Sequence, residues 1–271
     1  MKRTLTMLAL CLIPAMTAWG QTCTNNDFKG TYSALVTGNF ITPPPGVPAG
    51  PTARAGLVQL DGNGNSSIIT TLSLAGFILQ ESYGGTYTIN PDCTATVILL
   101  IPFPGAPQPV PFQFQGVLAN NGNTMNLLLL NPQGTDVRIN LSKQRRASCT
   151  NGDLNGDYAL NLAGVIINSP SVPSGLFARV GKVSFDGAGA FTAAVQTSYA
   201  GRLVPETFAG TYAMDKNCTF TTTFSLGFAS GWFGTFASGW FGVMADTQAG
   251  ANLIQSAPSG AVVTGTLTSV R

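Results

Sequence analysis

The sequence predicts an all-β protein made of two similar antiparallel modules that follow each other along the chain. Three observations predict this: an internal repeat, short runs of β-forming residues bounded by turn residues, and the absence of a capped helical pattern. Charged residues make up 9% of the chain, far below the roughly 25% of ordinary soluble proteins. We therefore expect strands and turns throughout the chain, with few charged side chains either on the surface or in the interior.

Three motifs occur twice and in the same order. CTNNDFKGTY at Cys23 recurs as CTNGDLNGDY at Cys149, ARAGLVQLDGNG at Ala53 as ARVGKVSFDGAG at Ala178, and GTYTINPDCTAT at Gly85 as GTYAMDKNCTFT at Gly210. Each second occurrence lies about 125 residues after the first, which indicates a duplicated domain. A feature present in only one copy cannot be required by the fold.

The first twenty residues have the three parts of a secretory signal peptide. Lys2 and Arg3 form the charged start, an apolar run follows over 5–13, and Ala18-Trp19-Gly20 supplies the small residues of a cleavage site. The apolar run is shorter than the ~20 residues that cross a bilayer, so we expect no transmembrane segment. We predict cleavage near Gly20-Gln21 and a secreted or periplasmic/extracellular protein.

The repeat also predicts the domain boundaries. These are residues 1–20 for the signal peptide, 21–143 for the first β-module, 144–148 for a linker, and 149–271 for the second β-module. Each module contains about eight or nine strands, with a break at Gly84 dividing the segment 77–90 into two of them. Consecutive hairpins favour a closed up-and-down barrel, because closure removes exposed strand edges. A small sandwich is the alternative.

Two cysteines fall in each module: Cys23, Cys93, Cys149 and Cys218. Four cysteines allow three pairings, and the duplication favours one disulfide within each copy, Cys23 with Cys93 and Cys149 with Cys218. Each bridge closes a loop of about 70 residues and is worth roughly 4 kcal/mol in the chain-entropy model. A zinc site is a poor alternative, because the chain has no histidine and no CxxC pair.

Several function classes are excluded or disfavoured by composition. Without histidine there is no Ser-His-Asp, Cys-His or His-metal mechanism, and the phosphate-binding loop motif is absent, so we predict no catalytic residue and no cofactor. After removal of the signal peptide the basic residues equal the 11 acidic ones, which disfavours nucleic acid as a partner. The segments at Asp61 and Asp153 have partial calcium-ligand spacing, but we favour turns there and predict no metal.

An arginine, a glutamate and a tyrosine recur on the predicted buried faces. Residues two apart in a strand share a face, which places Arg54 with Val58 and Leu60. A lone buried charge costs several kcal/mol, so arginine and glutamate should pair, with the tyrosine hydroxyl bonded to the pair. The residues of this predicted cluster are Arg54, Glu81 and Tyr87 in the first copy and Arg179, Glu206 and Tyr212 in the second.

Two interpretations of this cluster remain open. The pair either fills the barrel as part of its structure, or forms the polar end of a cavity that orients an amphipathic ligand. Small eight-stranded barrels are just wide enough to be filled or to hold one small ligand. We favour the structural interpretation, because small closed barrels are often filled by their own side chains.

A second, short duplication supplies both tryptophans of the mature chain. FASGWFGT is followed at once by FASGWFGV, which places Trp232 and Trp240 eight residues apart. One interpretation is an aromatic surface for carbohydrate, membrane or a protein partner. The other, which we favour slightly, is a slippage repeat tolerated at a hairpin tip.

The motifs G-x-Y, A-R-x-G-x-V-x-[LF]-D-G-x-G and G-T-Y-x5-C-T resemble an uncharacterised family of secreted bacterial β-proteins. Gly30-Thr31-Tyr32 is more distantly similar to the start of lipocalin-type barrels. The resemblance implies an exported β-module and no known activity.

Three function hypotheses follow. We predict a non-catalytic exported module that binds a small apolar or amphipathic ligand or contacts an extracellular surface. A purely structural spacer without a ligand is the alternative. An enzyme using a glutamate with a tyrosine ranks last, because no second carboxylate is seen to match the first.

Overall fold

The computed structural model describes residues 22–103, 106–169, 172–226, 236–246 and 250–270. Within these ranges sixteen strands form two closed barrels of eight antiparallel strands each. The predicted all-β class and the up-and-down barrel are confirmed. The predicted signal peptide lies outside the described residues. No helix in the described part of the chain is long and apolar enough to cross a membrane.

The strands alternate with short turns in both barrels. The first barrel consists of β1 (Gly30–Phe40), β2 (Gly50–Leu60), β3 (Asn65–Leu74), β4 (Phe77–Ile89), β5 (Thr94–Ile101), β6 (Val110–Ala119), β7 (Thr124–Asn131) and β8 (Thr135–Lys143). The second consists of β9 (Asn155–Ile166), β10 (Gly175–Asp186), β11 (Ala190–Tyr199), β12 (Arg202–Met214), β13 (Thr219–Leu226), β14 (Phe236–Asp246), β15 (Gly250–Ala257) and β16 (Ala261–Ser269).

Each barrel closes by pairing its first strand with its last. Tyr32 of β1 lies opposite Val58 of β2 on one side and Lys143 of β8 on the other. In the second barrel β9 pairs in the same way with β10 and β16. Spatial order therefore follows sequence order, and closure leaves neither sheet with an open edge.

One predicted strand break is wrong. The structure has a single strand β4 from Phe77 to Ile89, which runs through Gly84 without interruption. The adjacent Gly85 marks a close approach of neighbouring strands, because a Cβ there would lie 2.4 Å from the carbonyl oxygen of Ile98. A glycine inside a strand can thus mark crowding as well as a turn.

A 3₁₀ turn and a disulfide cover one end of each barrel. In the first barrel the turn is Asn25–Phe28, and Phe28 is buried with its ring 4.4 Å from that of Tyr32. The Cys23–Cys93 bridge joins this segment to the β4–β5 turn, with 5.0 Å between the Cα atoms.

The second barrel repeats this arrangement. Leu154 lies at the corresponding buried position, after the 3₁₀ turn Asn151–Asp153, and Cys149 pairs with Cys218. Both predicted disulfide pairings are confirmed.

The two cores differ in composition although the strands match. Both interiors contain contacting aromatic rings, such as Phe40, Phe103 and Phe112 in the first, but the group in the second is larger and includes Trp240. Phe224 stacks on Phe208 at 4.6 Å between ring centroids and lies 4.7 Å from Trp240. Aromatic pairs of this kind add to the stabilisation from area burial.

Candidate functional site

The first barrel contains an ion pair at the centre of its wall. Arg54 on β2 and Glu81 on β4 both point inward on either side of β3, because they fall on the inner parity of their strands. Arg54 Nε donates to Glu81 Oε2 at 3.0 Å, and the two side chains are only 4% and 6% exposed. Arg54 Nη1 also donates weakly to Thr52 Oγ1 at 3.4 Å.

The second barrel has the same ion pair with more hydrogen bonds. Arg179 Nη2 donates to Glu206 Oε2 at 2.7 Å, and Arg179 Nε donates to Thr197 Oγ1 at 2.8 Å. Tyr199 donates its hydroxyl proton to Glu206 Oε1 at 2.9 Å and accepts from Arg179 Nη2 at 3.0 Å. The hydroxyl of Thr197 also bonds to Glu206. The pair is therefore enclosed by groups of its own barrel.

Aromatic rings complete the surroundings of Arg179. Its guanidinium carbon lies 5.3 Å from the ring centroid of Phe177 and 5.4 Å from that of Phe208. A guanidinium at these distances from a ring face is attracted by the ring quadrupole. In the first barrel the repeat-equivalent positions hold Thr52 and Tyr83, so that ion pair has a different environment.

The predicted tyrosine partners lie elsewhere. The Tyr87 hydroxyl accepts from the Gly62 amide at 2.9 Å, and Tyr212 donates to the Leu154 carbonyl at 2.8 Å. Both side chains hold the 3₁₀ turns against the barrel ends and do not bond to the ion pairs. The expectation that they complete the arginine–glutamate clusters is therefore wrong, because each lies nearer the closed end of the barrel than its glutamate does.

Sequence reasoning missed the tyrosine that does bond to an ion pair. Tyr199 stands two residues after Thr197 on the inner face of β11, and strand parity alone predicts that it points into the barrel. Its proximity to Arg179 depends on the register of β10 with β11, where Arg179 lies opposite Thr197. That register was not inferred from the sequence.

All six tyrosines share one electrostatic property. Burial raises the pKa of every tyrosine hydroxyl above its ordinary value, and the residues are Tyr32, Tyr83, Tyr87, Tyr158, Tyr199 and Tyr212. The neutral phenol is thus the form that the folded chain prefers.

We expect the protein to lose stability steeply under alkaline conditions. The folded chain keeps phenolic protons that the unfolded chain releases above its tyrosine pKa of about 10, so stability is retained below that pH and falls above it. Urea unfolding midpoints measured against pH, together with tyrosinate absorbance, test this. Tyrosinate absorbance that develops near pH ~10 while the strand circular dichroism is unchanged would contradict it.

The interiors leave little free space beside these groups. A cavity of about 30 Å³ in the first barrel is lined mainly by aliphatic side chains with Ser66 and Thr70. Another of about 20 Å³ lies beside Arg179, Tyr199 and Ser238 in the second barrel. Each has room for about one or two water molecules.

A larger concavity lies outside, between the two barrels. It measures about 590 Å³ and is lined by Asp136 and Arg138 from the first barrel and by Val165 and Leu176 from the second. Its walls combine an opposite-charge pair with apolar side chains. The Arg138 and Asp136 side chains are 67% and 58% exposed and 4.0 Å apart.

The predicted aromatic surface is not supported at Trp240. That side chain is fully buried on the inner face of β14, in contact with the rings of Phe191 and Phe224. The duplicated segment therefore contributes a core residue, since an inward position in a closed barrel removes the ring from solvent. Trp232 lies outside the described residues.

The aspartates that resemble calcium ligands bond to their own backbone. Asp61 accepts from the amides of Asn63 and Asn65, and Asp153, in the 3₁₀ turn Asn151–Asp153, accepts from the amide of Thr150. Among the described residues, no group of three or more acidic or cysteine side chains could hold a metal ion. The turn interpretation accounts for both segments.

Buried carboxylates are few in the described part of the chain. Glu81 and Glu206 are the buried carboxylates there, one in each barrel, and each is paired with an arginine. A glycosidase needs two carboxyl groups about 5–10 Å apart across one cleft. The arrangement of the described interior does not provide that geometry.

The fold and the filled interiors define a class: all-β proteins of two tandem, closed, eight-stranded antiparallel barrels. No family model matches the chain, and no curated protein matches it. Among solved structures it is similar to isotype 1 transferrin binding protein B from serogroup B Neisseria meningitidis, with 9% identity over 90% of this chain and 75% of that one and a TM-score of 0.35. The resemblance to a secreted bacterial family thus stays a prediction.

Proposed function

We propose that this chain is an exported, non-catalytic protein whose two filled barrels form a rigid body that acts through its outer surface. The proposal rests on the small free volume inside each barrel. Each ion pair is enclosed by its own barrel, and the interior cavities described above measure about 30 and 20 Å³. Pockets for small organic ligands measure about 300–1,000 Å³.

The outer surface offers a contact region of suitable size. The cleft between the barrels, about 590 Å³, falls within the range of ligand sites, and it presents exposed Arg138 and Asp136 opposite Leu176. This combination of charged and apolar side chains is better matched to binding a polar extracellular surface with apolar patches than to binding a lipid tail. Export itself is supported by the N-terminal sequence and by the two disulfides, which persist in oxidising compartments.

The interior part of the proposal predicts no response to small apolar ligands. A panel of fatty acids and apolar aromatic compounds should leave the melting temperature unchanged, because the interior cavities of about 30 and 20 Å³ are too small for them. Thermal unfolding of the mature protein with each compound measures this. Stabilisation by a fatty acid that is lost in the variant Arg179→Met would instead indicate an interior binding site, and would refute the proposal.

The surface part is tested by binding to cell envelopes and immobilised glycans. Wild-type protein should bind, and Leu176→Asp combined with Arg138→Ala should weaken binding by about tenfold or more, as for loss of central interface contacts. Ile98→Asp serves as a control, because Ile98 is 40% exposed on β5 and outside the cleft. If wild-type protein binds none of these surfaces, the spacer hypothesis is favoured instead.

A structural spacer is the second candidate, and direct contacts between the barrels favour it. Ser73 Oγ donates to the Ala261 carbonyl at 2.8 Å, and the Gly260 amide donates to the Gly76 carbonyl at 2.8 Å. Such hydrogen bonds hold the barrels as one rigid unit.

A further inference from the structure

The two barrels contact each other through different faces. Face A is the outer side of the first three strands of a barrel, and face B is the outer side of its last three strands. In this chain face A of the first barrel packs on face B of the second. Ala53 and Ala55 of β2 form a buried apolar cluster with Ile254 of β15 and Val262 of β16, and all four are at most 5% exposed.

Polar contacts fix the register of this interface. Asn252 Nδ2 donates to Ser33 Oγ at 2.9 Å, and Ser73 Oγ donates to the Ala261 carbonyl at 2.8 Å. An interface between unlike faces of two similar units is heterologous. It covers one face of each barrel and leaves the other face of each barrel uncovered. Most of face A of the second barrel and of face B of the first therefore remains on the outside, although β8 also touches β14.

The free face A retains the apolar character of the buried one. The repeat aligns Ala178 and Val180 of β10 with Ala53 and Ala55 of β2. Ala178 is exposed, and Val180 is 53% exposed. Ser198 also matches Ser73, so the hydroxyl that bonds across the internal interface is present on this face as well.

The free face B, on the first barrel, also retains the apolar character of its buried counterpart. Identical residues at Asn126 and Asn252, Leu127 and Leu253, and Pro132 and Pro258 align β7–β8 with β15–β16. This alignment places Leu128 at the position of Ile254.

Val117 of β6 likewise stands at the position of Val243 of β14. Leu128 is 46% and Val117 is 53% exposed, whereas Ile254 and Val243 are fully buried against the other barrel.

Two positions change from apolar to charged, one on each free face, and the charges are opposite. Asp136 stands where face B of the second barrel has Val262, and Lys182 stands where face A of the first barrel has Leu57. Lys182 also contacts Asp157 of its own barrel at 3.1 Å, and it lies two residues from Val180. Opposite charges on opposing surfaces favour encounter in the correct orientation.

We propose that the chain associates with further copies of itself head to tail, face B of the first barrel binding face A of the second barrel of another copy. The contact repeats the internal interface, with Leu128 against Ala178 and Val180. Because the contact is heterologous, association gives open chains or rings and not a two-fold dimer. The inference rests on the repeat-equivalent faces. These faces also include Asp136, Arg138 and Leu176 of the cleft, whereas Leu128 and Val180, which the test replaces, lie outside it.

The contact between copies should be weaker than the internal interface, because only the barrels of one chain are joined by a linker. A short linker provides an effective concentration in the millimolar range, which two separate chains lack. Self-association should therefore be weak and should grow as the protein concentration approaches about 1 mM.

Sedimentation velocity of the mature protein over such a concentration series tests the proposal. The weight-average sedimentation coefficient of wild-type protein should rise with concentration. Leu128→Asp and Val180→Asp should each remain monomeric, since each blocks one face. Ile98→Asp should associate like wild type, because the repeat-equivalent Thr223 is exposed and outside the internal interface.

A mixture of the two blocked variants gives the sharpest outcome. Each variant keeps one intact face, so the mixture should form a one-to-one dimer that does not grow, at twice the monomer mass. Wild-type protein that stays monomeric throughout, association unaffected by either substitution, or a mixture that stays monomeric would each overturn the proposal. Failure of the envelope-binding experiment would leave this result untouched.

Discussion

Replacing Arg54 with methionine should lower the free energy of unfolding of the first barrel by about 3–5 kcal/mol, the range for breaking a buried ion pair. The reason is the position of its partner. Glu81 is only 9% exposed, its Oε2 accepts from Arg54, and its Oε1 has no hydrogen-bond partner. The variant leaves this carboxyl group buried and without its partner. Urea unfolding followed by far-ultraviolet circular dichroism measures the loss.

Two further variants show whether the stranded charge causes the loss. The double variant Arg54→Met with Glu81→Leu should recover most of it, because replacing both partners by apolar groups is often neutral. Arg179→Met in the second barrel should cost less than Arg54→Met, because Glu206 keeps its bonds to Thr197 and Tyr199. An unchanged unfolding midpoint for Arg54→Met would show that Glu81 has another source of solvation.

Removing the Cys23–Cys93 bridge should cost about 4 kcal/mol in the chain-entropy model, because it closes a long loop in the unfolded chain. The two cysteines are 70 residues apart in sequence, and the bridge ties the 3₁₀ turn Asn25–Phe28 to the end of the first barrel. The variant Cys23→Ser with Cys93→Ser should therefore unfold at lower urea concentration. Circular dichroism again follows the transition.

The second disulfide provides a matched control. Cys149→Ser with Cys218→Ser opens a loop of 69 residues and should cost about the same. Both tryptophans of the mature chain belong to the second half, so tryptophan fluorescence should report this loss and respond less to removal of the first bridge. Unchanged midpoints for both double variants would contradict the chain-entropy account.

Strand alternation explains why the ion pairs could be predicted. Arg54 and Glu81 lie on the inner faces of their strands, and the two-residue period of a strand is visible in a single sequence. Their pairing followed because a buried charge needs a partner. The third partner could not be predicted in the same way. In the second barrel Tyr199 was missed and Tyr212 was chosen, because height along a barrel depends on the register of neighbouring strands.

Trp240 shows a second limit of local reasoning. Its duplicated segment was interpreted as a hairpin tip, yet β14 carries the ring into the aromatic core beside Phe224. Gly84 shows a third, because the structure continues β4 through it. In each case contacts with a neighbouring strand decided the local structure. Which strands are neighbours in space cannot be found from composition or motif spacing.

The amino-acid sequence by itself determined that this protein is all-β and duplicated, which cysteines pair, and that one arginine and one glutamate lie inside each module. These properties depend on strand alternation and on the repeat, which are local. Only the tertiary structure decided that the barrels are filled and that face A of one packs on face B of the other. Free volume and shape complementarity depend on how side chains from all eight strands meet across the barrel, which no single segment of sequence specifies.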